Sequence, residues 1–600
     1  MSIPLRHEVP EADTWDLSAL YPNWDAWELD LQRLHSYLEE LSRYQGRLGE
    51  SLEVLKEALD WSQQLSQLME RLGHYVGLRV TEDLSQQEVL ERQGRYENLS
   101  VQIDAGLSWW NPELLSIDDE RFESWIKSPL LDDYHVSLQK SRRFKPHILS
   151  PEAERVLALG AQAEEAVNEA FESLTNVDLK FGTISSPQGE RPLTQSTFIL
   201  FLQDPNRAIR LKAYDQFYAE FRDHAHTLAT LYAGSVYRDV FHARARNFGS
   251  SLEQALFPDK VPPTVYENLI ATVRSSLTVL HRYYEIRRRA LGLERLHHAD
   301  MYAPMVKDVV VRHSWEQAVD TISQALKPLG REYVDVLRRG LTLERWCDRY
   351  ENKGKRSGAF SSGGWFGNPY ILMNYHDENL RDVFTLAHEA GHSMHSWYSV
   401  RSNPYSCYHY TIFEAEVAST FNEQLLAHHF LATTPDPSVR AAILGKQIED
   451  FVATFFRQTM FAEFEWKVHQ HAEAGGGLTL EYFTQTYQEL LNAYFGPNVE
   501  FTQNSALECL RIPHFYRAFY VYKYATGIAA ALALAQRVRE GSEAERQDYE
   551  NFLRSGGSRY PLESLKLGGV DMARPEPIQK ALAVFGEQLD SFEQLLGQLG

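Results

Sequence analysis

The sequence predicts a mainly α-helical protein with a small β-sheet. Apolar residues recur at three- and four-residue spacing over most of the chain. Alternating strand patterns are few, the best of them two short stretches, and no fixed-period repeat or long Pro/Ser linker breaks the helical pattern. At 600 residues the chain is too long for one hydrophobic core. Two or three domains, or one large body around a cavity, are expected.

Taken in order, residues 51–73, SLEVLKEALDWSQQLSQLMERLG, set Leu, Ala and Trp on one face behind a Ser51 cap. The same spacing predicts helices over 151–175, 207–232, 264–290, 439–472 and 479–494. Strands are predicted in DLKFGTI at 178–184 and in WFGNPYILMNY at 365–375, the second after a turn-forming SSGG. The loop SSPQGERPLTQ at 185–195 sets the expected boundary. An N-terminal helical region, 1–195, precedes a larger body, 196–600, that holds the sheet.

Composition narrows the function. The apolar fraction is 44% and the charged fraction 24%, so disorder is not expected. A formal net charge of −22 disfavours phosphate backbones, which argues against nucleic-acid partners. Cys347, Cys407 and Cys509 form no CxxC pair, which argues against a disulfide framework and against a cysteine zinc site. MSIPLRHEVPEADTWDL has no basic segment followed by an apolar run, and GIAAALALA at 527–535 falls far short of the roughly 20 residues a membrane span needs. A soluble, cytoplasmic protein without a membrane partner is expected.

The stretch FTLAHEAGHSMHSW at 384–397 carries the chemistry. In His388-Glu389-Ala390-Gly391-His392, positions i and i+4 lie roughly 40° apart around a helix. Both imidazoles can therefore converge on one ion, with Glu389 on the flank as a neighbouring base. The chain's composition gives about 0.1 chance matches to this pattern, so context must add to it. Asn379 can cap the helix, with Asp382 three residues on and Val383, Leu386, Ala387 and Ala390 as its apolar side. A second helix opens at a Thr411–Glu414 capping box, runs through EAEVASTFNEQLLAHHF and stops at TTPDP. It offers Glu416, which with His388 and His392 makes a three-ligand set with one open position for a catalytic zinc. Glu414 is more economically a cap. Glu423, two turns from Glu416 on the same face, suits the outer layer, where it would orient a ligand imidazole through its distal N–H.

Other readings stay open at this level. Glu389-x-x-His392 together with Glu294-x-x-His297 also satisfies the Glu-x-x-His pattern of helical di-iron proteins. A peptide-binding protein that keeps a metal for structure is a third. His395 would be hydrogen-bonded near the metal, His376 would serve substrate or loop, and His428-His429 would be surface.

His388-Glu389-x-x-His392 followed by Glu416 in EVASTFNE resembles the oligoendopeptidase F branch of the thimet-oligopeptidase-like zinc metallopeptidases. WDLSALY at 15–21, YENKGKRSGAFSSGG at 350–364 and RIPHFYRAFYVYKYATG at 511–527 extend the resemblance over nearly the whole chain. The stretch ALECLRIPHFY departs from it at Glu508-Cys509-Leu510, where the family pattern has a Trp-Ala-type lead-in. The resemblance implies a deep channel admitting short unfolded peptides, one Zn²⁺ per chain, and cleavage of internal peptide bonds with Glu389 as general base. It also implies transition-state donors in the C-terminal His/Tyr cluster, best carried by His514 and Tyr522.

That cluster can be read without the family. Peptide hydrolysis builds an oxyanion, and one aimed donor stabilises it by about 3 kcal/mol. Tyr hydroxyls and a His N–H suit the task. Tyr520 and Tyr524 are i, i+4 while Tyr522 faces elsewhere, so Tyr516, Tyr520, Tyr522 and Tyr524 cannot all enter one site. Tyr516 and Tyr520 are candidate substrate contacts. The 365–375 strand would pair with an extended peptide, with Gly363, Gly364 and Gly367 permitting close backbone approach.

Overall fold

A computed structural model describes residues 3–187, 189–306, 309 and 311–599. The chain forms two compact units, each assembled from three segments: Met1–Pro146, Val310–His429 and Leu534–Val570 in one, His147–Val309, Phe430–Ala533 and Asp571–Gly600 in the other. The boundary expected at 195 falls inside the second unit's first segment. There Thr183–Ser186 and Gly189–Pro192 pair as a hairpin, which gives the stretch its turn-rich composition. No described helix is long and apolar enough to cross a membrane.

In the first unit the helix expected at 51–73 runs over Leu52–Glu82, because Tyr75, Val76, Leu78 and Val80 continue its buried face. Ser51 caps it by accepting from the Val54 N–H. Its core includes Trp15, Leu20, Trp27, Leu72 and Tyr370, and Trp27 Nε1 donates to the Leu72 carbonyl at 3.0 Å. Tyr370–Leu372 is the middle strand of a three-stranded sheet. It runs parallel to Cys347–Asp348 and antiparallel to Phe360–Ser362, with Ser361 opposite Ile371. The peptide-pairing strand expected within 365–375 is therefore already paired on both edges. The edge strands are Cys347–Asp348 and Phe360–Ser362, which alternation could not reveal in two or three residues.

In the second unit the helix expected at 207–232 divides into Arg207–Asp223 and Ala225–Ala245, and that at 264–290 into Pro263–Ser275 and Leu277–Ala290. Each break is a single residue, His224 or Ser276, so the apolar spacing carries across it. The helix expected at 439–472 becomes Pro437–Phe451, a π-helical turn Val452–Phe456, and Arg457–Glu473. Glu294-x-x-His297 is not helical: Leu296–His297 is a strand parallel to Val499–Glu500. The di-iron pattern needs both residues on one helix face, so that reading fails.

This unit holds a buried polar network around Glu508. Glu508, the departure noted above, accepts from Arg457 Nη2 and from the Tyr487 hydroxyl, both at 2.7 Å. Burial alone would raise its pKa, but Arg457, His298 and Arg511 outweigh that and hold it at about 2. Burial pushes His298 down to about 4.

Candidate active site

The motif helix is Leu380–Ser402. Asn379 caps it by accepting from the Arg381 N–H, and Asp382 Oδ1 accepts from Asn379 Nδ2 at 2.7 Å. The second helix, Ile412–Thr433, starts at Thr411, whose N–H and hydroxyl both donate to Glu414 Oε2. Glu414 is thereby spent on the cap, in a fully buried position.

Three donor atoms meet between these helices. His388 Nε2 lies 3.2 Å from His392 Nε2 and 3.5 Å from Glu416 Oε2, and His392 Nε2 lies 3.8 Å from Glu416 Oε2. A tetrahedral zinc with bonds of about 2.0–2.1 Å spaces its ligand atoms by about 3.3–3.4 Å, so the set fits such an ion. Among the described residues this is the group of His, Cys, Asp and Glu whose donors lie close enough together to share one.

Neighbours fix the imidazoles. His388 Nδ1 donates to Glu423 Oε1 at 2.5 Å, so Nε2 is the nitrogen that would face an ion once it has lost its proton. Burial would lower the His388 pKa, but the bond to Glu423 and that carboxylate's charge raise it to about 9. His392 is pushed down to about 3 by burial and by His388, and its ring bonds to the Ala415 backbone. Glu389 is 7% exposed, and burial raises its carboxyl to about 7 against the pull of His388. The Ser361 backbone also bonds to Glu389, and Ser361 Oγ lies 2.8 Å from Ser393 Oγ, so the edge strand is fastened to the motif helix.

Several expected residues stand elsewhere. His395 is fully buried and stacked on Tyr410 at 3.6 Å, and neither ring nitrogen finds a hydrogen-bond partner among the described residues. It packs as an aromatic. His376 is exposed and pairs with Asp382. A Cβ on Gly364 would lie 2.9 Å from both Glu70 Oε1 and His74 Nδ1, so its close approach is to the Leu52–Glu82 helix rather than to open space.

The C-terminal cluster lies in the second unit. Tyr522 is 0% exposed, its ring against Tyr266 at 5.3 Å. Tyr516 is also core, stacked on Phe171 at 4.2 Å. Tyr520 and Tyr524 remain half-buried beside His514: the Tyr520 ring is nearly parallel to the imidazole at 6.3 Å, and the Tyr524 hydroxyl is 3.4 Å from His514 Nε2.

The description "Peptidase family M3" matches residues 200–584, and "Oligopeptidase F" matches 113–181. The chain belongs to peptidase family M3. It is similar to an oligoendopeptidase F homolog of Borreliella burgdorferi, 40% identical over 98% of this chain and 99% of that one. It is also similar to oligopeptidase PepF of Bacillus subtilis, 39% identical over 99% of this chain and 89% of the other. The crystal structure of oligoendopeptidase-F from Enterococcus faecium superposes with a TM-score of 0.75 at 30% identity, covering 95% of this chain and 99% of that one. The protein is accordingly a metalloendopeptidase, and its substrates are peptides.

Two residues of this M3 site escaped the sequence argument. A Cβ on Gly391 would sit 2.5 Å from the Ala418 carbonyl oxygen and 2.6 Å from Ser419 Cα. Only glycine lets the Ile412–Thr433 helix come close enough to bring Glu416 beside His388 and His392. Asn422 Nδ2 then donates to the Ala387 carbonyl at 3.2 Å and ties the two helices. The glycine inside the HExxH spacing was a visible signal, whereas nothing marked Asn422.

Proposed function

We propose that this M3 peptidase is a one-zinc enzyme that cuts internal bonds of short, unfolded oligopeptides, with Glu389 as general base. The observation that carries the reading is the convergence of His388 Nε2, His392 Nε2 and Glu416 Oε2 within 3.2–3.8 Å, with a buried Glu389 on the same helix. A bound Zn²⁺ supplies Lewis acidity toward the attacking water and the scissile carbonyl. The Glu389 carboxylate takes the water's proton and passes it to the leaving nitrogen. Glu423 keeps the His388 ring in its ligating tautomer. The Ser361 carbonyl on the outer edge of Phe360–Ser362 accepts from the peptide main chain, which gives affinity with little sequence selectivity.

Donors for the developing oxyanion are assigned to His514, Tyr520 and Tyr524; the role expected of Tyr522 passes to its half-buried neighbours because its own ring is enclosed. Tyr520→Phe or Tyr524→Phe is expected to lower kcat by about 10²-fold. Tyr522→Phe should alter the melting temperature and leave kcat nearly unchanged. A fall in kcat confined to Tyr522→Phe would return the role to it.

Cleavage of an internally quenched peptide, abolished by a chelator and restored by one equivalent of zinc, tests the reading as a whole. Metal affinity, measured by competition with a chromophoric chelator, tests the ligand set. Glu423→Gln should weaken binding about 10–100-fold, and Glu416→Ala more severely. The opposite order would make Glu423 the ligand.

A further inference from the structure

The turn that leads into the His514 cluster is held in an unfavourable backbone conformation by a buried acid. Phe519 has φ 58, in the left-handed region that bulky residues avoid. Its N–H donates to Glu465 Oε1 at 3.2 Å. Glu465 is 0% exposed, on the Arg457–Glu473 helix, and its other carboxyl oxygen has no hydrogen-bond partner among the described residues. Burial raises this carboxyl far above the usual range, so it is a neutral acid. A core position on a helix is filled more cheaply by Leu or Met.

The consequence lies a few residues to either side. Before Phe519, the Arg517 N–H donates to the His514 carbonyl at 2.9 Å and closes the turn Pro513–Tyr516. After it, the chain enters the helix Tyr522–Glu540. The left-handed residue reverses the path between them, so that the rings of Tyr520 and Tyr524, 5.4 Å apart, both come back to His514. The Phe519 ring is pinned against His469 at 4.6 Å and Tyr266 at 5.8 Å. His469 in turn donates through Nδ1 to the Glu465 carbonyl at 2.8 Å, and its Nε2 lies 3.3 Å from Asp239 Oδ2.

We propose that Glu465 is a positioning residue for the reaction: its carboxyl holds Phe519 in the left-handed turn that sets His514, Tyr520 and Tyr524 side by side. This rests on the assignment of that trio as transition-state donors.

Three variants test it, with kcat, KM, metal content and melting temperature measured for each on one internally quenched peptide. Glu465→Gln keeps a neutral acceptor of the same shape and should hold kcat within about threefold; Glu465→Leu should lower kcat about 10²-fold with KM and metal content unchanged, the cost of a small misplacement. Should Glu465→Leu fail to fold, Glu465→Asn, one methylene too short to reach the Phe519 N–H, takes its place with the same expectation. In addition, the His514 ring resonance of labelled protein should move in Glu465→Leu or Glu465→Asn and return in Glu465→Gln. That readout does not need turnover, so loss of the hydrolase reading and loss of this inference stay separate. A lower melting temperature with native kcat and an unmoved His514 signal would overturn the proposal, as would equal losses in Gln and Leu.

Discussion

Glu389→Gln is expected to retain its zinc and to lose about 10²–10⁴-fold of kcat. The amide has the shape of the carboxyl it replaces and sits in the same buried pocket, and Glu389 supplies none of the three converging donor atoms. What it removes is the proton acceptor. Burial raises the Glu389 carboxyl to about 7, which suits a group that must both take and return a proton near neutrality. A divalent cation beside it favours the ionised form from which the cycle starts. The measurement is single-peptide turnover set against zinc content in the same preparation. Native-like turnover by a fully zinc-loaded variant would strip Glu389 of the base role.

Glu508→Gln should destabilise the second unit by about 3–5 kcal/mol, because it leaves Arg457 buried without its counter-charge. The native pair also predicts how stability depends on pH. Glu508 titrates at about 2 in the folded chain against an ordinary 4.5, so its contribution is complete above pH 4.5 and is lost as pH falls toward 2. His298 titrates at about 4 against 6.5. Between pH 6.5 and 4 the unfolded chain takes up that proton first, so stability declines across this earlier window too. Each shift corresponds to roughly 3 kcal/mol at most. Denaturant midpoints at descending pH should therefore fall in two overlapping stages in the native protein, with the lower stage flattened in Glu508→Gln. A single stage shared by both proteins would contradict the assignment.

The helical class was legible because apolar spacing is a local property, and the caps at Asn379 and Thr411 were legible for the same reason. The metal-ligand candidates could be named because i, i+4 on one helix and a carboxylate on the next are matters of spacing. What escaped was tertiary. Gly391 matters only through the Ala418 and Ser419 backbone it touches, and strand order cannot be read from three-residue strands. Tyr520, Tyr522 and Tyr524 were sorted as if all three lay on one helix, whereas that helix starts at Tyr522 and Phe519 turns the chain just before Tyr520. Glu294 and His297 had the right interval on the wrong element. Glu508 stood out only as a mismatch, and its value lies in partners distant in sequence such as Arg457 and His298.

Because the first unit takes its pieces from Met1–Pro146, Val310–His429 and Leu534–Val570, it cannot be completed on the ribosome until residue 570 has emerged. At roughly 5–20 residues per second, its first segment waits tens of seconds for the strand Tyr370–Leu372 that completes its core and for the last segment of the unit. During that interval the nascent chain is a target for chaperones and for other proteases. A chain ended at residue 540 lacks residues 541–570 of the first unit and should yield aggregates rather than a smaller folded product.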